Sequence, residues 1–283
     1  MSNTVDVDAY FARIGYDGPR EPTLETLSRL HGLHPQAIAF ENLSPLLGES
    51  VSLDLGTLQE KLVQGARGGY CFEQNSLFKA LLQALGFQVV GLAARVVWNQ
   101  PEDAVTPRTH MLLKVQLPEG PYLADVGFGG QVLTGPLRFD STVAQATPHE
   151  PFRLGTTGNG MQLQSLVRGE WKTLYRFGLD EQFPIDYELS NYYVSTHPNS
   201  IFRQRLMVAR VLGNLRHNLV NDQLTTHQVD ARTGSSTQSE HRHLESVAEL
   251  RAVLTDVFGL NVPRGSDADL ALGRVLTAPA RMS

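Results

Sequence analysis

One cysteine, Cys71, occurs in the 283-residue chain. It lies in RGGYCFEQN (67–75), after a glycine pair and at the start of an apolar periodicity that reads as a helix. Glycine reaches backbone angles that other residues avoid, so the chain can turn sharply there and leave Cys71 in the first helical turn. At that position the unpaired amide N–H groups and the positive end of the helix dipole favour a thiolate, and the same amides can hold an oxyanion. Nucleophilic catalysis through sulfur is the chemistry this placement permits. The bland alternative is a small hydrophobe in a core, since free cysteines bury readily.

A thiol nucleophile needs a base, and the base needs an acceptor that orients it. Of nine histidines, His31 and His34 flank an apparent helix exit, His149 follows Pro148, and His217, His227, His241 and His243 lie in polar runs. Most of these read as surface positions. His110 differs, because it opens the apolar run HMLLKVQL after the Pro107 loop. Asp125 differs too, since a carboxylate inside YLADVGF cannot be buried cheaply without hydrogen-bonded partners. Either residue alone suits a structural role as well as a catalytic one; an acidic strand beside a strand opened by histidine is more specific.

Three textures must position these groups. The first ~86 residues carry helical periodicity: Leu24, Leu27 and Leu30 precede Gly32 and Pro35, a second helix fits Thr57 to Val63, and a third begins near Cys71 and ends at Gly86. From Phe87 to about residue 190, short Val-rich, Leu-rich and aromatic runs broken by Pro and Gly read as strands of a small barrel or sandwich. Beyond Tyr187 come a helix up to Pro198, further strands, and a helix ending at Gly259; the last twenty residues read as a small-residue tail that packs over the body or wanders. If PEGP (118–121) makes a hairpin with Leu117 opposite Tyr122, His110 and Asp125 share a sheet face but stand about 13 Å apart.

Composition bounds the partners. Formal net charge is −5, so no basic surface attracts nucleic acid. No apolar run reaches membrane-spanning length, and Asp6 and Asp8 stand where a signal peptide would be basic and then apolar, so a cytoplasmic protein is expected. A single cysteine makes no internal disulfide, and no metal-ligand cluster is apparent. HRH (241–243), Asp6 and Asp8 read as solvated surface.

FARIGYDGP (11–19), AFENL (39–43), RGGYCFEQN, THMLL (109–113), DVGFGG (125–130) and YELSNYYVSTHPNSIF together resemble the arylamine N-acetyltransferases. The resemblance implies an α+β fold: a helical bundle (1–86), a central antiparallel β-barrel (87–190) and a C-terminal α/β lid with its tail (191–283). It implies a cysteine-protease-like Cys-His-Asp triad of Cys71, His110 and Asp125. The expected reaction moves an acetyl group from acetyl-CoA, a cosubstrate rather than a resident cofactor, through Cys71 to an arylamine or hydrazine by a ping-pong route. Thr109 and Gly127, Gly129 and Gly130 are expected near CoA, and GFGG is neither a Rossmann nor a Walker loop. Phe40, Phe128 and Phe202 are expected to line the acceptor pocket, and Arg67 with Glu41 to form an ion pair bracing the loop. A transglutaminase-like or papain-like thiol hydrolase and a non-catalytic CoA binder are the rival readings. Monomer and homodimer stay open.

Overall fold

The computed structural model describes residues 4–277 apart from 102, 159, 231, 232 and 234. Helices α1 (Val7–Ile14) and α2 (Leu24–Ala37) start on Asp6 and Thr23, whose side chains accept from Ala9 N and Thr26 N. The predicted exit at Gly32 and Pro35 is wrong: α2 runs through both, because the inward face of Leu27, Leu30, His31 and His34 packs in the core and outweighs the local breakers. A two-residue strand β1 (Phe40–Glu41) and a short α3 (Leu43–Leu47) follow. The helix expected from Thr57 starts earlier, as α4 (Leu55–Leu58), and widens into a π-helical stretch at Gln59–Gln64. Helix α5 (Cys71–Ala84) begins on the cysteine, and Gly86 leaves it with φ +86°.

Seven antiparallel strands form a nearly closed barrel: β2 (Gln88–Val96), β3 (Arg108–Leu117), β4 (Gly120–Ala124), β5 (Leu137–Arg138), β6 (Phe152–Thr157), β7 (Gly160–Val167) and β8 (Glu170–Phe177), in the order β5-β4-β3-β2-β8-β7-β6. One residue bridges the two end strands. Gln145 exchanges backbone hydrogen bonds with Phe152 of β6, while its side chain accepts from Arg138 N and donates to Arg138 O of β5.

Helices α6 (Pro184–Thr196) and α7 (Ile201–Gln204) lead to β9 (Met207–Leu212), β10 (Leu215–Val220), β11 (Gln223–Asp230) and β12 (Ser235–His243), then α8 (Val247–Asp256) and α9 (Ser266–Thr277). The four strands form a second sheet whose first member is β1, ordered β1-β9-β10-β11-β12. Asn42 fastens this junction by donating to Phe202 O and Arg205 O and accepting from Met207 N. The tail is ordered as far as α9, which buries Ala268, Ala271, Leu272 and Val275; residues 278–283 lie outside the described residues.

Strand β3 is buried on both faces and divides two cores. Met111, Leu113, Val115 and Leu117 join the helical cluster with Phe72, Phe78 and Leu81, whereas Leu112 joins Leu92, Leu123 and Phe152 inside the barrel. Alternation therefore assigns His110 to the barrel side, with Leu112. Its partner strand does the same for Asp125, since Leu123 is a barrel residue while Ala124 and Val126 belong to the helical cluster.

Candidate active site

Register brings the base to its acceptor. The hairpin is tighter than predicted: Leu117 pairs with Gly120, not Tyr122, leaving only Pro118 and Glu119 in the connection, with Gly120 at φ +129°. Pairing runs to Leu113 opposite Ala124, and one further step sets Asp125 across from Leu112. Asp125 lies just past the end of β4 rather than inside a strand. His110 and Asp125 are then diagonal neighbours on one face, within side-chain reach. His110 Nε2 lies 2.7 Å from Asp125 Oδ2.

Both carboxylate oxygens are saturated. Oδ2 also accepts from the Tyr175 hydroxyl at 2.9 Å, and Oδ1 accepts from Asn75 Nδ2 and Gly127 N, each at 3.0 Å. Burial alone would raise this carboxyl, but the His110 charge and these donors outweigh it and hold it below the usual aspartate value. For His110, burial pushes the imidazole down; the Asp125 charge and hydrogen bond, joined by a hydrogen bond with Cys71, reverse this and raise it to about 10. The ring is an imidazolium at neutral pH. With Nε2 on Asp125, Nδ1 is the nitrogen that meets sulfur.

Cys71 is the first residue of α5, where the first-turn amides have no partner within the helix itself. Its Sγ lies 3.5 Å from the carbonyl of Thr109. The site is closed: Cys71, His110 and Asp125 expose 4%, 2% and 0% of their surface.

A buried polar chain fixes the loop ahead of the nucleophile. Gln74 Nε2 donates to Gly69 O at 2.7 Å and to Ala39 O at 3.2 Å, while its Oε1 lies 2.8 Å from His34 Nε2. The Tyr10 hydroxyl meets His34 Nδ1 at the far end. These partners define a neutral His34 that donates from Nε2 and accepts at Nδ1. Burial drives its pKa down to about 3, and that of His31 to about 4. Both histidines are core residues, against the surface reading given to most of that set. His31 Nε2 accepts the backbone N–H of Asp125 at 3.0 Å, and both side chains complete the core face of α2. His149 is buried as well.

Two ion pairs clamp the same loop. Arg67 meets fully buried Glu41 through Nη2 at 2.7 Å and Nε at 2.9 Å, and Glu41 Oε2 accepts from Leu43 N. Burial raises the Glu41 carboxyl, yet Arg67 and Lys61 together bring it below its ordinary value. A second pair, unread in the sequence, joins Lys61 to Glu73 at 2.6 Å; Glu73 also accepts from Tyr70 N.

The glycines of DVGFGG allow close approach. A Cβ on Gly127 would stand 2.8 Å from Cys71 Cα, and one on Gly130 would stand 2.9 Å from Asn218 Oδ1. Gly129, at φ +85°, faces the Phe40 ring. Phe128 sets its edge against His110, with centroids 5.3 Å apart. Phe40 packs on Phe202, and Phe202 on Tyr70.

Tyr175, Asn75, Gln74 and His31 escaped sequence reasoning. Asn75 was findable, because it follows Cys71 by four residues and so shares its helix face. Tyr175 carried no signal, since only barrel closure brings β8 to β4.

A thiol at a helix N-terminus, an imidazolium beside it and a saturated carboxylate behind have the layout of enzymes that carry acyl groups on cysteine. An N-acetyltransferase family model matches residues 23–266. Among curated proteins, the arylamine N-acetyltransferase of Mycolicibacterium smegmatis is 42% identical over 96% of this chain and 98% of its own. That of Escherichia coli strain K12 is 43% identical over 89% and 88%. Among solved structures, Mycobacterium marinum arylamine N-acetyltransferase in complex with CoA superposes with a TM-score of 0.90, at 42% identity over 95% of this chain and 99% of that one. The Mycobacterium tuberculosis enzyme gives 0.89 at 41% identity, over 94% and 99%. The chain belongs to the arylamine N-acetyltransferase family and is an acyltransferase. Its α+β fold, helical bundle followed by barrel and C-terminal α/β part, is the one the sequence motifs implied. Among the described residues, no helix is long and apolar enough to cross a membrane.

Proposed function

We propose that Cys71, His110 and Asp125 act together to move an acetyl group from acetyl-CoA to the nitrogen of an arylamine or hydrazine. The observation that carries this reading is the His110 ring held between Asp125 and Cys71 in a dry site. In the first half-reaction the Cys71 thiolate attacks the thioester carbonyl, and the tetrahedral intermediate expels the CoA sulfur, which leaves with the His110 proton. Acetyl-cysteine and a neutral imidazole remain. In the second, the neutral amine attacks the acetyl carbon, His110 takes the surplus nitrogen proton, and the thiolate departs beside a restored imidazolium. Asp125 keeps the tautomer that each transfer needs. Exclusion of water lets a weakly basic, flat amine compete for the acetyl group.

CoA is assigned to the DVGFGG turn at Gly127, Gly129 and Gly130, with Thr109 beside His110; the glycines let this turn pack directly on Cys71, Phe40 and Asn218, and the M. marinum enzyme is solved in complex with CoA. Phe40, Phe128 and Phe202 supply apolar walls for the acceptor ring. Arg67 and Glu41 hold the loop and take no part in proton transfer. The three-part division at residues 86 and 190 allots the nucleophile to the first part and the base and carboxylate to the second. A working unpaired thiol suits a reducing compartment, so the cytoplasm is the proposed location.

Mass spectrometry after incubation with acetyl-CoA tests the reading. One acetyl group should appear on the Cys71 peptide and vanish when an arylamine is added. Full arylamine acetylation by Cys71→Ala would overturn it.

A further inference from the structure

Arg216 carries a charge into the interior. It stands on β10 and exposes 1% of its surface, and its partner Glu150, in the loop before β6, exposes 5%. Arg216 Nε lies 2.9 Å from both carboxylate oxygens, and Nη2 lies 2.6 Å from Oε2. Taking two ions out of water offsets much of what their pairing returns, and well-packed apolar residues of similar volume are often as stable or more so. Fold stability alone is thus a weak reason for a guanidinium here. The other groups it holds supply a better one.

Those groups are backbone carbonyls of the DVGFGG turn. Arg216 Nη2 donates to Val132 O at 3.0 Å, and Nη1 reaches Gly130 O at 3.5 Å. Two residues along the same face of β10, Asn218 sits so close that a Cβ on Gly130 would stand 2.9 Å from its Oδ1. Inside the turn, Val132 N donates to Gly129 O at 3.0 Å. At the other end, Gly127 N donates to Asp125. The turn is therefore pinned twice: at Gly127 by the carboxylate behind His110, and at Gly130 and Val132 by the second sheet. Glu150 is itself fixed, because Thr147 Oγ1 donates to Glu150 O at 2.7 Å and accepts from Thr134 Oγ1, two residues past Val132, at 3.1 Å.

We propose that Arg216, braced by Glu150, is a positioning residue for the CoA half-reaction: from the second sheet it keeps the Gly130–Val132 part of the turn in the shape that receives CoA. The inference rests on the acetyl-transfer reading and on the assignment of CoA to this turn. A trans peptide sets C=O and N–H on opposite sides, so gripping the Gly130 carbonyl also turns the Gln131 N–H away from the guanidinium. Lysine could not replace the arginine, since one compact ammonium lacks the planar fork that spans a carboxylate and two carbonyls. The hydrogen bonds of Arg216 run to Glu150 and the far half of the turn, so its loss should be felt by the donor's CoA portion and spare the sulfur chemistry.

Two acetyl donors separate this role from a general structural one. Acetyl-CoA engages the turn, whereas p-nitrophenyl acetate brings an activated acetyl group with no CoA; in both cases the Cys71 thiolate attacks the carbonyl and the leaving group departs, as CoA thiol or as p-nitrophenolate. The double variant Arg216→Met with Glu150→Leu removes both charges together, so no ion is left buried and unpaired. Its KM for acetyl-CoA should rise about 10- to 100-fold, because a turn released from a charged hydrogen-bond donor occupies the binding shape that much less often. Acetylation of Cys71 by p-nitrophenyl acetate should stay within about threefold of wild type, and kcat at saturating acetyl-CoA should change less than KM. Arg216→Lys, which keeps a cation beside Glu150, should show the same split, and it decides the matter if the double variant does not fold. An unchanged KM for acetyl-CoA in a folded variant overturns the inference, as does an equal loss with both donors. If wild-type Cys71 takes acetyl from the ester but not from acetyl-CoA, the acetyl-transfer reading fails and the inference falls with it; if the wild type uses both, the split in the variants bears on Arg216 alone.

Discussion

Replacing Asp125 by asparagine probes the site with one atom. The carboxylate accepts two hydrogen bonds on each oxygen: His110 and Tyr175 on Oδ2, Asn75 and Gly127 on Oδ1. An amide must put its NH₂ group on one side or the other. Facing Asn75 and Gly127, it would oppose two donors, one of them a backbone N–H that cannot turn, at about 1–3 kcal/mol for each buried group left unpaired. Facing His110 and Tyr175, it opposes a hydroxyl that can rotate and a ring that can shift its proton. The second arrangement costs less. Nε2 must then accept, so Nδ1 carries the proton and points it at Cys71. A neutral ring in that tautomer neither takes the thiol proton nor pairs with a thiolate. Loss of the Asp125 charge also removes the largest influence that raises the His110 pKa. In Asp125→Asn, kcat/KM for arylamine acetylation should fall by about 10⁴, equivalent to about 5.5 kcal/mol of transition-state stabilisation. Alkylation of Cys71 by iodoacetamide at neutral pH should slow with it, while circular dichroism stays that of the wild type. A folded variant within about tenfold of wild-type kcat/KM would refute the assigned role and the tautomer argument together.

Tyr175→Phe keeps the ring against His110, whose centroid is 4.8 Å away, and deletes one hydrogen bond to a buried charge, worth about 1.5–3 kcal/mol. Its melting temperature should drop by roughly 3–6 °C, and an unchanged melt would show that the hydroxyl does not support the carboxylate. Gly127→Ala forces a Cβ to within 2.8 Å of Cys71 Cα and 2.9 Å of Asn75 Nδ2; overpacking of about 1–3 kcal/mol should accompany a kcat loss larger than any KM change, and wild-type kcat would contradict it. Stability should also depend on pH. His31 and His34 have folded values near 4 and 3, below the ordinary 6.5, so their contribution is whole above 6.5 and lost as pH falls, at about 2 kcal/mol each by pH 5. His110, raised to about 10, runs the other way, fully stabilising below 6.5 and losing that contribution as pH climbs through 10. Urea midpoints should therefore decline on both sides of near-neutral pH, and a level profile from pH 7 to 5 would contradict the neutral buried histidines.

What the sequence made legible was local. The glycine pair, the lone cysteine and the following periodicity placed Cys71 at the head of α5, and the β texture after Gly86 located β2, β3 and β4. The buried histidines were not legible, because Gly32 and Pro35 are strong local breakers and only the packed face of α2 overrides them. Tyr175 was invisible for a different reason: it reaches Asp125 from β8, and strand order in a barrel is a non-local property. The motif families supplied the cast of residues, while distance in sequence hid most of the supports.

The decisive discrepancy is a single turn. With Leu117 opposite Tyr122, His110 would face a position four residues past Asp125, and the acceptor would be out of reach. With Leu117 opposite Gly120, the offset halves to two residues, a diagonal that a histidine and an aspartate can close. A shift of one residue would instead have sent Asp125 to the opposite face, into the helical core with Ala124 and Val126. Gly120 is what permits the short connection, since its φ of +129° lies where a side chain is strained. The geometry of catalysis thus depends on a glycine five residues before the carboxylate, in the turn at the opposite end of β3 from His110.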